Sequence, residues 1–315
     1  MNFWKILYGE IKDHHQVIMM YVIHSEGSSP GRLGFKMGVS SSGKLFGSIG
    51  GGFMEHKLVE WCKQELLKRD FEPFFKRQIH QASVPKDKSG MICSGEQTIA
   101  FYRLNEGHLP IIQTIHQAIS NHQYGVLELD DKDIHFHLAA TQKSKFESAI
   151  HEDKWFVKED IGMLPELHIV GGGHVGLALS KFAQELGFRI TVYDDRSDLN
   201  TMDNNHFGKT IMVADYEQIA EYIPAGSDKY VVLMSFGYRT DKVVLKQLIH
   251  HQFKYLGMMG SKEKVKQLFK ELREEGIDQS LINKVHSPIG IPIKSQTPEE
   301  IAISILAEII AVKNN

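Results

Sequence analysis

Three glycine-rich loops and one cysteine carry the residue types in this 315-residue chain that could do chemistry. Gly47-Ser48-Ile49-Gly50-Gly51-Gly52 ends an apolar strand and enters a helix, so its N–H groups are free to cradle a phosphate or another anion. Each ordered glycine costs roughly 0.5–1 kcal/mol of chain entropy, and three in a row exceed what a tight turn needs. Gly50, Gly51 and Gly52 are therefore read as ligand-binding backbone rather than as a turn alone. Cys93, in Ser89-Gly90-Met91-Ile92-Cys93-Ser94-Gly95, follows a polar loop and lies between glycines. That setting suits an accessible thiolate, either a soft metal ligand or a nucleophile. Cys62 continues an i, i+4 stripe with Met54, Leu58 and Leu66 and is read as core. A further loop, Gly27-Ser28-Ser29-Pro30-Gly31-Arg32, places an arginine where it could meet phosphate.

The third glycine loop opens the second half. Leu167 to Val170 is a short apolar strand, and Gly171-x-Gly173-x-x-Gly176 starts a helix whose apolar positions Val175, Leu177, Leu179, Phe182 and Leu186 can face a sheet. Gly187 closes that helix, and a second strand from Ile190 to Tyr193 delivers Asp194 near the spacing at which an acid meets ribose hydroxyls. Here Gly171 permits the turn, Gly173 lets backbone approach a phosphate at the helix end, and Gly176 lets helix and strand pack. Asp195 and Arg196 leave open whether a nucleotide bound there carries a 2′-phosphate. His135-x-His137 puts two rings on one face of a strand but lacks a third ligand, and is read as surface. Tyr238 and Lys242 have the spacing of a dehydrogenase pair but not the serine upstream, and are read as coincidence.

The elements that must position these loops fall into two patterns. The spacing predicts a helix near 2–13, strands at 17–24, 35–40 and 44–49, and a helix over 53–68. Strands follow near 74–80, 96–104, 124–130 and 133–139, with a helix near 110–121: an α+β domain over 1–145. The charged stretch 146–163 is read as a connector. From 164 to 315 strands at 167–170, 190–193, 210–214, 229–235 and 254–258 alternate with helices, which predicts a Rossmann-like parallel sheet, so the fold class is α/β. Thr297-Pro298-Glu299-Glu300 is a capping box for a last helix to about Val312. A net charge of −3 gives no electrostatic reason for nucleic acid or an anionic membrane, and neither is expected as a partner. The absence of a membrane-length apolar run or a signal-like start, with two cysteines, leads to the expectation of a cytoplasmic protein.

Across nearly its whole length the chain resembles the xanthine dehydrogenase accessory factor (XdhC/CoxI) family. The resemblance rests on Gly27-Ser28-Ser29-Pro30, Ile49-Gly50-Gly51-Gly52 with Glu55, the Cys93 loop, Gly171-Gly172-Gly173-His174-Val175-Gly176 and Asp194-Asp195-Arg196. It continues through Gly257-Met258-Met259-Gly260-Ser261, His286-Ser287-Pro288-Ile289-Gly290 and Thr297-Pro298-Glu299-Glu300-Ile301-Ala302. It implies a maturation factor rather than a catalyst, binding molybdenum cofactor (molybdopterin). The factor would support sulfuration of the cofactor with a cysteine desulfurase and insert it, as a chaperone, into a xanthine dehydrogenase-type molybdoenzyme; a homodimer is compatible with this. The residues it implies for cofactor binding are Gly50, Gly51, Gly52, Glu55, Cys93 (also facing the metal), Gly95, Gly171, Gly173, His174, Gly176 and Asp194. NAD(P) or another nucleotide is the other expected ligand of the Rossmann half. The chain departs from the family at Ser94 and at Ser235-Phe236, so no histidine role carries over to Phe236. The competing readings are an NAD(P)-dependent oxidoreductase, for which no acid or base stands out, and a nucleotide-sensing regulator.

Overall fold

A computed structural model describes residues 3–79, 95–139, 146–162, 164–213 and 215–314. The chain divides into two compact units, Met1–Met163 and Leu164–Asn315.

Unit 1 begins with α1 (Phe3–Lys12), which buries Trp4, Leu7 and Ile11 along one face. It continues through β1 (Val17–Gly27), β2 (Lys36–Ser40), β3 (Leu45–Gly47), α2 (Gly52–Glu65), β4 (Phe74–Ile79) and β5 (Gly95–Leu104). Then come α3 (Leu109–Ser120), β6 (Gly125–Asp130), β7 (Ile134–Leu138), β8 (Phe146–His151) and β9 (Lys154–Ile161). The strands form two antiparallel sheets, ordered β3-β2-β1-β5-β4 and β7-β6-β9-β8. Val17 to Ile23 of β1 is an unbroken apolar run because both faces of the strand are covered. Val17, Met19, Tyr21 and Ile23 pack with α1, α3 and the second sheet, while Ile18, Met20 and Val22 pack with Met54, Leu58, Val59 and Cys62 of α2.

Residues 146–161 differ from the connector expected from sequence, since they are the paired strands β8 and β9, with β9 also pairing with β6. Charge misleads there because β8 is an exposed edge strand, where polar residues are the rule. In β9 the inward alternation of Trp155 and Val157 supplies the core contacts.

Unit 2 runs β10 (Glu166–Val170), α4 (His174–Glu185), β11 (Arg189–Asp194), α5 (Asn200–Asp203), β12 (Lys209–Met212), α6 (Ile219–Tyr222) and β13 (Gly226–Leu233). It ends with α7 (Tyr238–Leu248), β14 (Phe253–Met258), α8 (Lys262–Glu274), α9 (Gln279–Ile282) and α10 (Pro298–Asn314). All five strands are parallel, in the order β12-β11-β10-β13-β14, which reverses direction beside β10 as in a Rossmann sheet. Leu167, Ile169, Ile190, Val192, Tyr230 and Val232 meet α4 and α10 on one face; Val170, Tyr193, Val231, Leu233 and Met258 meet α7 and α8 on the other. The last helix has its capping box: Glu300 N donates to Thr297 Oγ1 (3.2 Å) and Thr297 N to Glu300 Oε2 (3.3 Å). Among the described residues no helix is long and apolar enough to cross a membrane.

Candidate functional site

In unit 1 the triple glycine follows β3 and opens α2, with Gly50, Gly51 and Gly52 at φ 126°, 75° and 74°, a run of left-handed backbone that only glycine sustains cheaply. Its N–H groups are not all free. Glu55, in the first turn of α2, reaches back so that Oε2 accepts from Ile49 N (2.8 Å), Gly51 N (3.0 Å) and Ser48 Oγ (2.7 Å). Gly50 N donates to Ser48 Oγ (3.1 Å). The loop is therefore an anion receptor, and the anion it holds is the chain's own carboxylate. As the N-cap of α2, Gly51 has no side chain to offer the first helical turn, and a Cβ there would meet nothing within 4 Å. The N–H groups of that turn thus lack the side-chain partner a serine or aspartate cap would give.

One further loop and the start of β5 are drawn to this one around Gln97 of β5, which is 0% exposed. Its Oε1 accepts from Ser29 Oγ (2.9 Å) and Gly31 N (3.1 Å), and its Nε2 lies 3.3 Å from Met54 Sδ of α2. A Cβ on Gly31 would strike the carbonyl of Ile49, one on Gly50 would strike Gly31 N, and one on Gly95 would strike Ser29 N. The structure thus brings together the Gly27–Arg32 loop, the Gly47–Gly52 loop and Gly95 at the start of β5. Arg32 and Ser28 are exposed on this cluster, and Phe53 beside it is 56% exposed. Cys93 lies outside the described residues, two positions before Gly95. Cys62 is fully buried among apolar neighbours, and burial pushes its thiol up to about 12, as a core cysteine requires.

In unit 2 the glycine loop lies at the carboxyl ends of the strands where the order reverses. A Cβ on Gly171 would strike the carbonyl of Met234 after β13, and one on Gly176 would strike the carbonyl of Gly171. Gly173 differs: it is the N-cap of α4 at φ −69°, and a Cβ there would meet nothing within 4 Å. Neither packing nor backbone demands glycine at 173, and the space in front of the helix is open there. His174 is exposed on the first turn of α4.

Asp194 departs from the sequence expectation that it meets a ribose diol. It is 1% exposed, and its carboxylate accepts from Gly172 N (2.7 Å), Arg196 N (3.1 Å), Arg196 Nε (2.8 Å) and Arg196 Nη2 (2.9 Å). Burial alone would raise its pKa, but these bonds outweigh burial and hold the carboxyl below its ordinary range. The guanidinium of Arg196 lies over the ring of Phe236, 5.3 Å from its centre, and that ring is 86% exposed. The loop carrying Phe236 is pinned by buried Asp241, which accepts from Ser235 N (3.1 Å), Ser235 Oγ (2.6 Å) and Lys264 Nζ (2.8 Å). The closing block sits at the other edge of the sheet. His286 bridges to Gly257 and stacks on Tyr255, while Glu308 of α10 accepts from Tyr255 OH (2.6 Å) and Gly290 N (2.8 Å) and lies 3.3 Å from His286 Nδ1.

Sequence reading missed Gln97, Ser48, Asp241 and the internal use of Glu55 and Asp194. For Glu55 a signal existed, an acid in the first turn of a helix that has no capping side chain. For Gln97 none did, because its partners lie far away in the chain.

Residues 167–309 match the model of the XdhC Rossmann domain, and residues 11–71 match that of the XdhC and CoxI family. The chain is 28% identical over 298 residues to YqeB of Escherichia coli (strain K12), covering 94% of this chain and 43% of YqeB, so it spans under half the length of that relative. It is 20% identical over 338 residues to a probable xanthine dehydrogenase subunit of Bacillus subtilis (strain 168), covering 99% of this chain and 98% of that one. A crystal structure of a xanthine dehydrogenase from Bacillus halodurans shares the fold with a TM-score of 0.76 at 20% identity, over 100% of this chain and 96% of that chain.

Proposed function

The chain belongs to the XdhC and CoxI family, and on that ground we propose that it serves the maturation of a xanthine dehydrogenase-type molybdoenzyme. In this reading it binds molybdenum cofactor, supports its sulfuration with a cysteine desulfurase, and passes it to the apoenzyme. The observation that carries the reading is the meeting of two loops and the start of β5 around Gln97 in unit 1, where a built anion receptor adjoins the strand that follows the Cys93 segment.

The residues fit the chemistry of such a ligand. Its phosphate end suits the start of α2, where Gly51 offers no capping side chain and the N–H groups of Ile49 and Gly51 already hold one carboxylate that a phosphate can replace. Glu55 occupies the N–H groups of Ile49 and Gly51 until such an anion displaces it, Ser48 holds Gly50 N, and Gln97 holds the neighbouring loop. When bound, the cofactor supplies the soft metal–sulfur chemistry, for which a Cys93 thiolate is the matching ligand in this chain. The chain's own part is to hold the anion, orient the flat ring system and release it on contact with the apoenzyme.

The test is to purify the protein without oxygen and identify what it carries by extraction and mass spectrometry, then to mix it with a xanthine dehydrogenase-type apoenzyme. A pterin phosphate in the extract and recovery of activity in the apoenzyme are expected. Protein that takes up no pterin and restores nothing would overturn the reading.

A further inference from the structure

We propose that unit 2 binds a purine nucleotide carrying a phosphate on its ribose, with Arg196 reading that phosphate and Phe236 stacking the base. Asp194 serves the site as the anchor of Arg196, not as the partner of a ribose diol. This goes beyond the maturation role and does not depend on it.

In a parallel sheet of this order, ligands lie beyond the carboxyl ends of the strands where the order reverses. Three loops border that place: Gly171–Gly173 after β10, Met234–Phe236 after β13, and Asp194–Arg196 after β11. They are joined to one another, the first two by the close approach of Gly171 to Met234 and the first and third by the bond from Gly172 N to Asp194.

In sheets that recognise an unmodified ribose, the acid ending the second strand faces the hydroxyls. Here that acid takes four donated hydrogen bonds, as many as a carboxylate has lone-pair sites, and is shut away from solvent. Turning it toward a diol would break its ion pair with Arg196, strip a buried carboxylate of its donors and release the glycine loop. Arg196 is left in the opposite state. Nε and Nη2 are committed to Asp194, while Nη1 has no acceptor among the described residues. Its edge is thus a fixed pair of donors, the arrangement that matches a phosphate, and being already held it loses little freedom on binding.

Phe236 supplies the second element. A large aromatic ring stands open on a loop pinned by Asp241, and its ring contact among the described residues is with Arg196. Lying against the guanidinium of Arg196, it gives a flat base a place to stack beside the phosphate reader. The open space at Gly173 admits the other phosphate at the start of the twelve-residue α4. One group opposes this arrangement: Asp195 is exposed beside Arg196, repels a phosphate, and is the residue that could read a bare diol instead.

Calorimetric titration of the full chain with adenosine 2′,5′-bisphosphate and with adenosine 5′-monophosphate decides between Arg196 and Asp195. The bisphosphate should bind about tenfold or more tightly. Phe236→Ala, an exposed site that leaves folding alone, should weaken both ligands about tenfold, as loss of one stacked base does. The pair Asp194→Asn with Arg196→Gln, which removes both charges together, should abolish the preference for the bisphosphate, and a thermal scan will show whether that variant is folded. Equal affinities in the parent protein, or a tighter monophosphate that weakens in Asp195→Asn, would overturn the proposal, as would no binding of either nucleotide. Since no molybdenum cofactor enters this experiment, its failure would leave the maturation reading standing.

Discussion

The two units close their glycine loops with an acid of their own, but they hold that acid in different ways. In unit 1, Glu55 is half-buried, bonds only neutral donors, and forms no ion pair among the described residues. In unit 2, Asp194 is buried and bonds a backbone N–H together with both arms of an arginine. A half-exposed carboxylate on neutral donors can give way to another anion, since water takes up the displaced charge. A buried, paired one cannot leave without stranding its partner. The same local chemistry is thus a removable stopper in unit 1 and a fixed bracket in unit 2, and mutations can separate the two.

The largest effect is expected at Asp194. Asp194→Ala removes acceptors from Gly172 N and from Arg196, and since Arg196 keeps some contact with water the loss should be about 2–4 kcal/mol of stability. Calorimetry of the whole chain follows both units, whereas fluorescence of Trp4, Trp61 and Trp155 follows unit 1 alone. The calorimetric transition of unit 2 should fall and the tryptophan transition should not; a loss below about 1 kcal/mol would refute the bracket. Acid adds a second measure. A carboxyl held below its ordinary range contributes stability that is complete above about pH 4 and lost as pH falls through its folded value. Asp194→Asn should therefore flatten the acid limb of the unfolding curve for unit 2, and an unchanged slope would count against the ion pair.

Gly176→Ala comes next. The added Cβ would meet the carbonyl of Gly171, whose own N–H is fixed to Tyr193 O at 2.8 Å, so the loop has little room to yield. Overpacking of this kind costs about 1–3 kcal/mol, read by the same calorimetric scan. A stability equal to that of the parent would mean that the unit 2 loop is softer than the bracket requires.

Glu55→Ala tests the stopper. The variant should lose only about 1 kcal/mol, because the side chain is half in water and its donors can rehydrate. It should at the same time bind inorganic pyrophosphate more tightly than the parent, as the N–H groups of Ile49 and Gly51 become free. Pyrophosphate binding that stays equal or weakens would show that Glu55 is as fixed as Asp194, and the contrast between the units would collapse.

How far these features could be read from sequence follows from how local they are. The strand–glycine–helix–strand unit of residues 167–194 was legible because its spacing and periodicity lie within one short segment, and so was the capping box at Thr297. Gln97 was not, because it acts by joining residues 29–31, 54 and 97, which come together only when β1 pairs with β5. Asp194 was legible in place but not in role: spacing puts an acid at the end of β11, whereas the direction of its oxygens is decided by Arg196 two residues on. The β8–β9 hairpin was hidden by its charge, since an exposed edge strand gives only a weak apolar signal and the inward residues Trp155 and Val157 alone mark it.

The smallest expected effect on stability carries the sharpest functional contrast. Gly173 and Gly176 belong to one loop and are three residues apart, yet a Cβ is blocked at 176 and unopposed at 173. Because Gly173 lies at φ −69°, alanine adopts its backbone without strain. Gly173→Ala should therefore leave the thermal transition of unit 2 within about 0.5 kcal/mol of the parent, or raise it slightly by restricting the unfolded chain. If the space in front of α4 exists for a phosphate, the same methyl group should weaken binding of adenosine 2′,5′-bisphosphate about tenfold, since it stands where the anion must approach the helix N–H groups. Titration and a thermal scan on one preparation measure both quantities. Stability and affinity both unchanged would mean that glycine at 173 answers to nothing in the site, and the phosphate would then have to be sought at Arg196 alone.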